Sequence, residues 1–317
     1  MNTNRFTSVF ANDLAEYVKF KEQMGFYGRS RITYLRRFDV YCSTRNLHHF
    51  DRDTVEGWVL NELKSAVRCR SWMSYIRDFG KWMRTHKDRD AYVLSDRWKA
   101  GFTRSYPYLL ASDEIEKFFS AAAHTRAASP WAWQAAAFFT LMHSCGLRTC
   151  EARGLLVDQV DLDRRSIDIV HSKARRSRRL PITSDVAAVL ATCDEASRSR
   201  YGPRESFFIS STGAPVGAAA VGVMFNRIWD QAKLARPTEG KQPRAYDFRH
   251  HFAYKNLERW MQEGVEVDAM LPYLARYMGH ATFDSTYYYI HTSPDFMDAY
   301  SGLVTKSNKL LPEVGFQ

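Results

Sequence analysis

Residues 131–142, with the sequence WAWQAAAFFTLM, constrain the fold more than any other segment of the chain. A helix formed here is apolar nearly all round, so other elements must cover it on every side. Pro130 suits the first turn of such a helix, and Gly146 suits its end. We therefore predict that this helix lies at the centre of a domain core.

Residues 1–105 favour a separate, all-helical domain. Four stretches repeat apolar residues at three-, four- and seven-residue steps, the period of amphipathic helices. These stripes are Phe10, Leu14, Tyr17 and Met24; Ile32, Leu35, Phe38 and Cys42; Val55, Trp58, Val59 and Leu63; and Trp72, Ile76, Phe79 and Met83. The period breaks between about residues 88 and 108, which we interpret as a linker. The second domain is then expected over residues 109–317, including a C-terminal tail.

A small antiparallel sheet is predicted early in the second domain. Residues 157–162, 166–170 and 179–182 alternate apolar and polar side chains, as strands do. Residues 173–178, Lys-Ala-Arg-Arg-Ser-Arg, would form the tip of the last hairpin. The predicted fold class is therefore mainly α with a small antiparallel β-sheet, in two domains.

The charge of the chain indicates a nucleic-acid partner. The formal net charge is +10, which is typical of proteins that bind phosphate backbones. We expect double-stranded DNA as the partner, although a solvated surface is the alternative for any single basic residue. The candidate DNA-binding residues are Arg31, Arg36 and Arg37 in the first domain and Arg175, Arg176 and Arg178 at the hairpin.

Other patterns argue against several classes of protein. The sequence has no GxxxxGK[ST] loop and no HExxH-type spacing, so we expect neither ATP nor a metal as cofactor. Its five cysteines are scattered, which favours a reducing compartment over a disulfide framework. No signal-peptide core and no apolar run of ~20 residues is present, so we expect a cytoplasmic protein without a membrane segment.

Five short motifs follow one another in the second half of the chain. They are Gly146-Leu147-Arg148-Thr149-Cys150-Glu151; Lys173, eight residues before Pro181; Tyr246-Asp247-Phe248-Arg249-His250; Met278-Gly279-His280; and Tyr289, nine residues after His280 and followed by Ile290-His291. Each motif alone is a weak signal, but five in this order are specific. The chain thus resembles the tyrosine recombinase (phage integrase) family, densely from residue 112 to about 300. The N-terminal part resembles it only in its helical, basic character.

The resemblance implies a site-specific DNA recombinase that works through a 3′-phosphotyrosyl intermediate and a Holliday junction. It implies a role for each motif residue: Tyr289 as nucleophile, Arg148, Arg249 and His280 as phosphate ligands, Lys173 as general acid, and Glu151, His250 and His291 as supporting residues. Two arginines would stabilise the charge on the phosphate oxygens, so no metal is needed.

One residue departs from the family pattern. Tyr246 stands where the second box usually has histidine. Its hydroxyl can donate a hydrogen bond to a phosphate oxygen but cannot carry a positive charge. We predict that Tyr246 is a catalytic-site residue that positions the phosphate. This departure leaves open a DNA-binding accessory protein without catalysis, and a type IB topoisomerase is a further alternative.

The family resemblance also suggests an assembly. We expect a two-domain, C-shaped clamp around duplex DNA that forms a homotetramer on DNA and is a monomer or dimer when free. The first helix begins near residue 8, so no extra arm-binding domain is expected, and the C-terminal tail is expected to dock on a neighbouring subunit. An integrase or transposase of a mobile element, associated with a prokaryotic nucleoid, is the favoured interpretation. A recombinase for dimer resolution is the near alternative.

Overall fold

The computed structural model describes residues 6–26, 28–64, 72–98, 107–125, 131–170, 177–280, 282 and 284–290. The chain divides into two compact units, Met1–Arg104 and Ser105–Gln317. Each unit has its own hydrophobic core. No helix in these described ranges is both long and apolar enough to cross a bilayer.

The first unit is built from helices. They are α1 (Ala11–Gln23), α2 (Arg29–Arg45), α3 (Arg52–Lys64) and α4 (Trp72–His86), followed by a short 3-10 turn at Asp96–Trp98. The predicted apolar stripes supply its core, in which Trp58, Trp72 and Phe79 are almost fully buried. The prediction for Met24 is wrong: this side chain is 54% exposed, because α1 ends one residue before it.

The second unit combines helices with one small sheet. Its elements are α5 (Ser112–Ala123), α6 (Ala135–Ser144), α7 (Thr149–Arg153), β1 (Val160–Asp161), β2 (Ser166–Ile169), β3 (Arg178–Pro181), α8 (Ser184–Tyr201), α9 (Ala218–Gln231), α10 (Asp247–Gln262), α11 (Val267–Met278) and α12 (Asp284–Ile290). The strands are antiparallel in the order β1-β2-β3, with Ile167 opposite both Val160 and Leu180. The predicted mainly helical fold with a small antiparallel sheet is confirmed.

The apolar segment forms the centre of this unit, as predicted. Phe138 and Phe139 on α6 are fully buried among side chains of the surrounding helices and the sheet. The helix begins later than predicted, because residues 132–134 form a 3-10 turn before it. Gln134, the buried polar residue of the segment, donates to the Ile209 carbonyl at 2.8 Å and accepts from the Ile209 N–H at 3.0 Å. Both polar ends of its buried amide are therefore satisfied.

Candidate active site

The motif residues meet where several elements of the second unit end. The site is formed by the N-terminal ends of α7 and α10, the start of β3, the turn after α11, and α12. Segments far apart in sequence converge here, since side-chain to backbone hydrogen bonds span 103 and 131 residues. Arg148 precedes α7, α7 and α10 carry Glu151 and Arg249, β3 carries Arg178, and the glycine turns supply carbonyl acceptors.

Arg148 is held by the carboxylate one turn further along the chain. Its Nη1 donates to Glu151 Oε1 at 2.8 Å, and its backbone N–H donates to Glu151 Oε2 at 3.0 Å. Its Nη2 donates to the carbonyl oxygen of Gly279 at 2.7 Å. Burial opposes ionisation of Glu151, but hydrogen bonds and charges from Arg178 and Arg148 lower the pKa of its carboxyl to about 2. Glu151 therefore stays ionised and fixes the guanidinium.

Arg249 is fully buried at the start of α10. Its Nη1 donates to the Gly146 carbonyl at 2.5 Å and its Nη2 donates to the Met278 carbonyl at 2.7 Å. Within the described part of the chain, its buried Nε has no hydrogen-bond partner. A buried donor without a partner is costly, so this atom is available to a ligand oxygen.

Two glycines make the close approach of these arginines possible. Gly146 has a φ of +59° and Gly279 a φ of +67°, a region that side chains rarely adopt. A Cβ on Gly146 would lie 2.5 Å from the ring of Phe252, and one on Gly279 would lie 2.8 Å from Nη1 of Arg178. Their carbonyls are the acceptors for the two guanidiniums described above. The glycine motifs predicted this site, but their role as acceptors was not visible in the sequence.

His280 follows the second of these glycines and is 9% exposed. Its Nδ1 lies 2.7 Å from the hydroxyl of Thr286 on α12. Burial, and then the charges of Arg249 and Arg148, lower the pKa of His280 to about 3. The imidazole of the free protein is therefore neutral near pH 7. Its other ring nitrogen, Nε2, can donate a hydrogen bond to a ligand or accept one from it.

Tyr288 contacts His250, with ring centroids 6.0 Å apart, but Tyr289 is the tyrosine of the run 287–289 that lies against both His250 and His280. Tyr289 is 2% exposed, whereas Tyr287 is 41% exposed. The Tyr289 ring stacks on His280 with centroids 6.0 Å apart and meets the edge of His250 at 5.5 Å. This placement favours the tyrosine that the motif spacing selected.

The Tyr289 phenol is protonated in the free protein. Burial raises the pKa of the phenol well above its ordinary value, while the positive charge of Arg249 and a hydrogen bond between the two side chains oppose this rise. Tyr289 is therefore neutral near pH 7, with the positive charge of the Arg249 guanidinium close to its phenol.

Tyr246 and His250 lie one helical turn apart at the start of α10. Tyr246 is 36% exposed and His250 is 8% exposed, and their ring centroids are 5.0 Å apart. Burial, then the charges of Lys241 and Arg244, lower the pKa of His250 to about 3. Its Nδ1 is buried without a hydrogen-bond partner among the described residues. Tyr246 therefore forms the solvent-facing rim of the site, with a neutral imidazole behind it.

The structure corrects the prediction for Arg178. Predicted to contact DNA at a hairpin tip, it is instead the first residue of β3, and its side chain is 9% exposed. Its Nε donates to the Tyr277 carbonyl at 2.7 Å, and its two Nη atoms donate to Glu151 at 3.1 and 2.9 Å. With its donors committed to the protein, it is a structural part of the site. In the sequence, Arg178 belongs to the same basic run as Arg175 and Arg176, and nothing in that run distinguishes it from them.

Several predicted residues lie outside the described ranges. They are Lys173, Arg175, Arg176, His291 and the C-terminal tail. In the first unit, Arg31 lies over the Tyr75 ring at 5.3 Å, and Arg37 pairs with the buried Glu62 at 2.9 Å. Arg36 is half-buried. Their contact with DNA stays a prediction.

The side chains of the site can bind a phosphate through several hydrogen-bond donors and offer a phenol oxygen that can attack it. In the part of the chain that the structure covers, no three His, Cys, Asp or Glu side chains come together in a way that could hold a metal. Guanidiniums and neutral imidazoles can donate to phosphate oxygens, and the phenol can attack phosphorus.

Comparisons with known proteins agree with this geometry. The family model "Phage integrase family" matches residues 109–295. Two proteins of Sinorhizobium fredii, named as putative integrase/recombinases y4rE and y4rB, are 30% and 26% identical; each alignment covers 92% of this chain, and 94% and 95% of the relatives. Tyrosine recombinase XerD of Bifidobacterium longum is 24% identical over 82% of this chain and 85% of its own.

Solved structures show the same fold. The Tn1549 transposon integrase with circular-intermediate DNA has a TM-score of 0.64 and 15% identity, covering 92% of this chain and 99% of that chain. The XerH recombinase bound to its difH substrate has a TM-score of 0.61 and 18% identity, covering 93% and 84%.

Proposed function

The chain belongs to the phage integrase family and is a tyrosine-type site-specific DNA recombinase, and on that premise we propose that Tyr289 cuts a DNA strand and allows it to be rejoined elsewhere. The observation that carries this assignment is the burial of Tyr289 against His280 and His250, where the charge of the buried Arg249 guanidinium also acts on the phenol. A phosphodiester bound by the arginines would lie beside the phenol oxygen. Proximity of this kind is what in-line attack requires.

Cleavage would proceed by transesterification. The Tyr289 oxygen bonds to phosphorus, the bond from phosphorus to the 5′ oxygen breaks, and a 3′-phosphotyrosine remains. The phenolic proton passes to a neutral imidazole, His250 or His280, both of which adjoin the ring. The leaving 5′ oxygen takes a proton from Lys173 as general acid. A 5′ hydroxyl of another strand reverses these steps, so the phosphoester bond energy is kept and ATP is not required.

The arginines would stabilise the five-coordinate stage of the reaction. Negative charge grows on the non-bridging oxygens at that stage, and preorganised donors around them lower the barrier. Arg148 and Arg249 are already fixed by protein acceptors. Arg249 still offers its Nε, and His280 adds a further donor. Glu151 would align Arg148, and His291 is assigned a supporting role by its place in the motif.

Tyr246 would hold the phosphate from the rim of the site. Its exposed position beside His250 leaves the hydroxyl free to reach a phosphate oxygen as a neutral donor. The departure from histidine would then remove a titrating group without removing the hydrogen bond.

Duplex DNA is the proposed substrate, with further contacts from Arg31, Arg36, Arg37, Arg175 and Arg176. The net charge of +10 supports this choice, as do the DNA complexes of the structurally similar Tn1549 integrase and XerH recombinase. We favour recombination of a mobile element, because the relatives y4rE and y4rB, which match over more than nine tenths of the chain, are named integrase/recombinases. Dimer resolution, the near alternative from the sequence, is kept, because a tyrosine recombinase named XerD is also a relative. A homotetramer on DNA and a nucleoid location are proposed from the family.

The test is formation of a covalent adduct. The protein is incubated, with EDTA and without ATP, with nicked DNA fragments from the flanks of its own gene, and protein–DNA adducts are resolved on denaturing gels. Wild type and Tyr288→Phe should form the adduct, and Tyr289→Phe should not. An adduct that survives in Tyr289→Phe would refute the nucleophile, whereas specific binding without any adduct in wild type would favour the accessory role.

A further inference from the structure

Arg178 joins three parts of the site through a single guanidinium. It belongs to β3, it holds both oxygens of Glu151 at 3.1 and 2.9 Å, and it donates to the Tyr277 carbonyl at 2.7 Å. Its Nη1 also packs closely against Gly279, since a Cβ added to Gly279 would lie only 2.8 Å from this atom. The sheet, the carboxylate and the turn after α11 are therefore fixed relative to one another by this side chain.

Two of these parts in turn hold Arg148. Glu151 Oε1 accepts from both Arg148 and Arg178, and the Gly279 carbonyl accepts from Arg148 at 2.7 Å. His280 is the next residue after Gly279. A shift of either acceptor would displace the Arg148 guanidinium, and a shift of the turn would also displace His280. Misplacement of a catalytic group by about 1 Å can cost ~10²-fold in rate.

We propose that Arg178 is a positioning residue for strand cleavage, which aligns Arg148 and the His280 turn with the scissile phosphate without touching the phosphate. The proposal rests on the role proposed above for Arg148 as a ligand of the non-bridging oxygens. Loss of Arg178 would leave Glu151 and the turn in place but less well fixed, so the donors would no longer meet the developing charge.

This role predicts a chemical signature. In a methylphosphonate, a methyl group replaces one charged non-bridging oxygen of the scissile phosphate, so less negative charge develops during attack. A defect that acts through the position of Arg148 should therefore shrink on the methylphosphonate. A loss of folding, or a misplaced Tyr289, would slow the reaction of both substrates equally.

The experiment measures adduct formation in a single turnover at saturating protein. Two nicked duplexes are compared, one with an ordinary scissile phosphate and one with a methylphosphonate. The variants are Arg178→Met, Arg178→Lys and the benchmark Arg148→Ala. Arg179→Met is the matched control, because Arg179 is the next residue on the same strand and its ion pair with Asp168 is exposed. Thermal unfolding of each variant reports folding.

We expect Arg178→Met to lower the rate of adduct formation about 10- to 100-fold on the phosphate substrate and less than about 3-fold on the methylphosphonate. Arg148→Ala should show the same larger loss on the phosphate than on the methylphosphonate. Arg178→Lys should keep the fold but show the same selectivity at a smaller loss, because one ammonium cannot reproduce the planar fork. Arg179→Met should stay within about 2-fold of wild type on both substrates.

Two results would overturn the proposal, and they differ. Equal losses of the Arg178 variants on both substrates, with Arg148→Ala still selective, would leave Arg178 as a contributor to the fold alone. Equal losses of rate on both substrates for Arg148→Ala would contradict the function proposed for Arg148, on which this proposal rests. If Arg178→Met does not fold, the comparison with Arg178→Lys decides.

Discussion

Replacing Glu151 with Gln removes the buried carboxylate that the partly buried Arg148 and Arg178 share. Burial would raise the pKa of this carboxyl, but its hydrogen bonds and charged partners lower the pKa from 4.5 to about 2. A difference of about 2.5 in pKa corresponds to ~3 kcal/mol of folding free energy. The Glu151 side chain is only 2% exposed, so water screens its interaction with the arginines only slightly. Because the folded pKa is the lower one, the contribution is complete above the unfolded value of 4.5 and disappears as the pH falls towards 2.

We therefore expect Glu151→Gln to lower the unfolding free energy of the second unit by about 3 kcal/mol. Urea unfolding measures this loss, and it should be the same at about pH 6 and pH 8, since both lie above the unfolded pKa. Asp168→Asn is the control: Asp168 also accepts a two-bond fork, from Arg179, but its side chain is 37% exposed, so little should change. A loss no larger for Glu151→Gln than for Asp168→Asn would refute the reasoning.

Two further predictions concern the glycine turns and the histidines. Gly146→Ala should destabilise the second unit by more than about 2 kcal/mol in urea unfolding, because its Cβ would meet the Phe252 ring. Gly213→Ala, at a similar φ of +75° but with nothing within 4 Å, should cost less, and equal costs would contradict the steric argument. In the free protein, NMR should show His250 and His280 remaining neutral between about pH 5 and 8, because burial depresses both pKa values. A midpoint within that range would contradict the assigned environment.

Local rules predicted the parts of the site that depend on nearby residues. Arg148 and Glu151 lie one helical turn apart, so their ion pair follows from spacing alone, and the structure has it at 2.8 Å. Spacing also selected Tyr289 among three adjacent tyrosines, and its role as nucleophile stays a prediction. The apolar segment at 131–142 indicated a buried central helix, because no other placement could cover its surface.

The sequence did not predict contacts that depend on tertiary structure. The bond from Arg178 to Tyr277 spans 99 residues, and the carbonyls that hold Arg148 and Arg249 are backbone atoms, which every residue has. Charge density suggested a DNA contact for Arg178, but burial determined its partners. Such roles depend on where a strand starts relative to a turn, and no local pattern carries that information.

The use of uncharged carbonyls to hold Arg249 has a consequence for the charge balance of the reaction. The acceptors on Gly146 and Met278 carry no net charge, and both imidazoles are neutral. Among the described residues of the site, three guanidiniums therefore face a single carboxylate, and two positive charges remain uncompensated. A phosphodiester brings one negative charge, and its five-coordinate stage brings two. The phenolic proton moves to an imidazole within the site, so the total charge does not change, but the negative charge that faces the guanidiniums doubles at the five-coordinate stage. We therefore expect the arginines to bind that stage more tightly than the intact DNA or the phosphotyrosine.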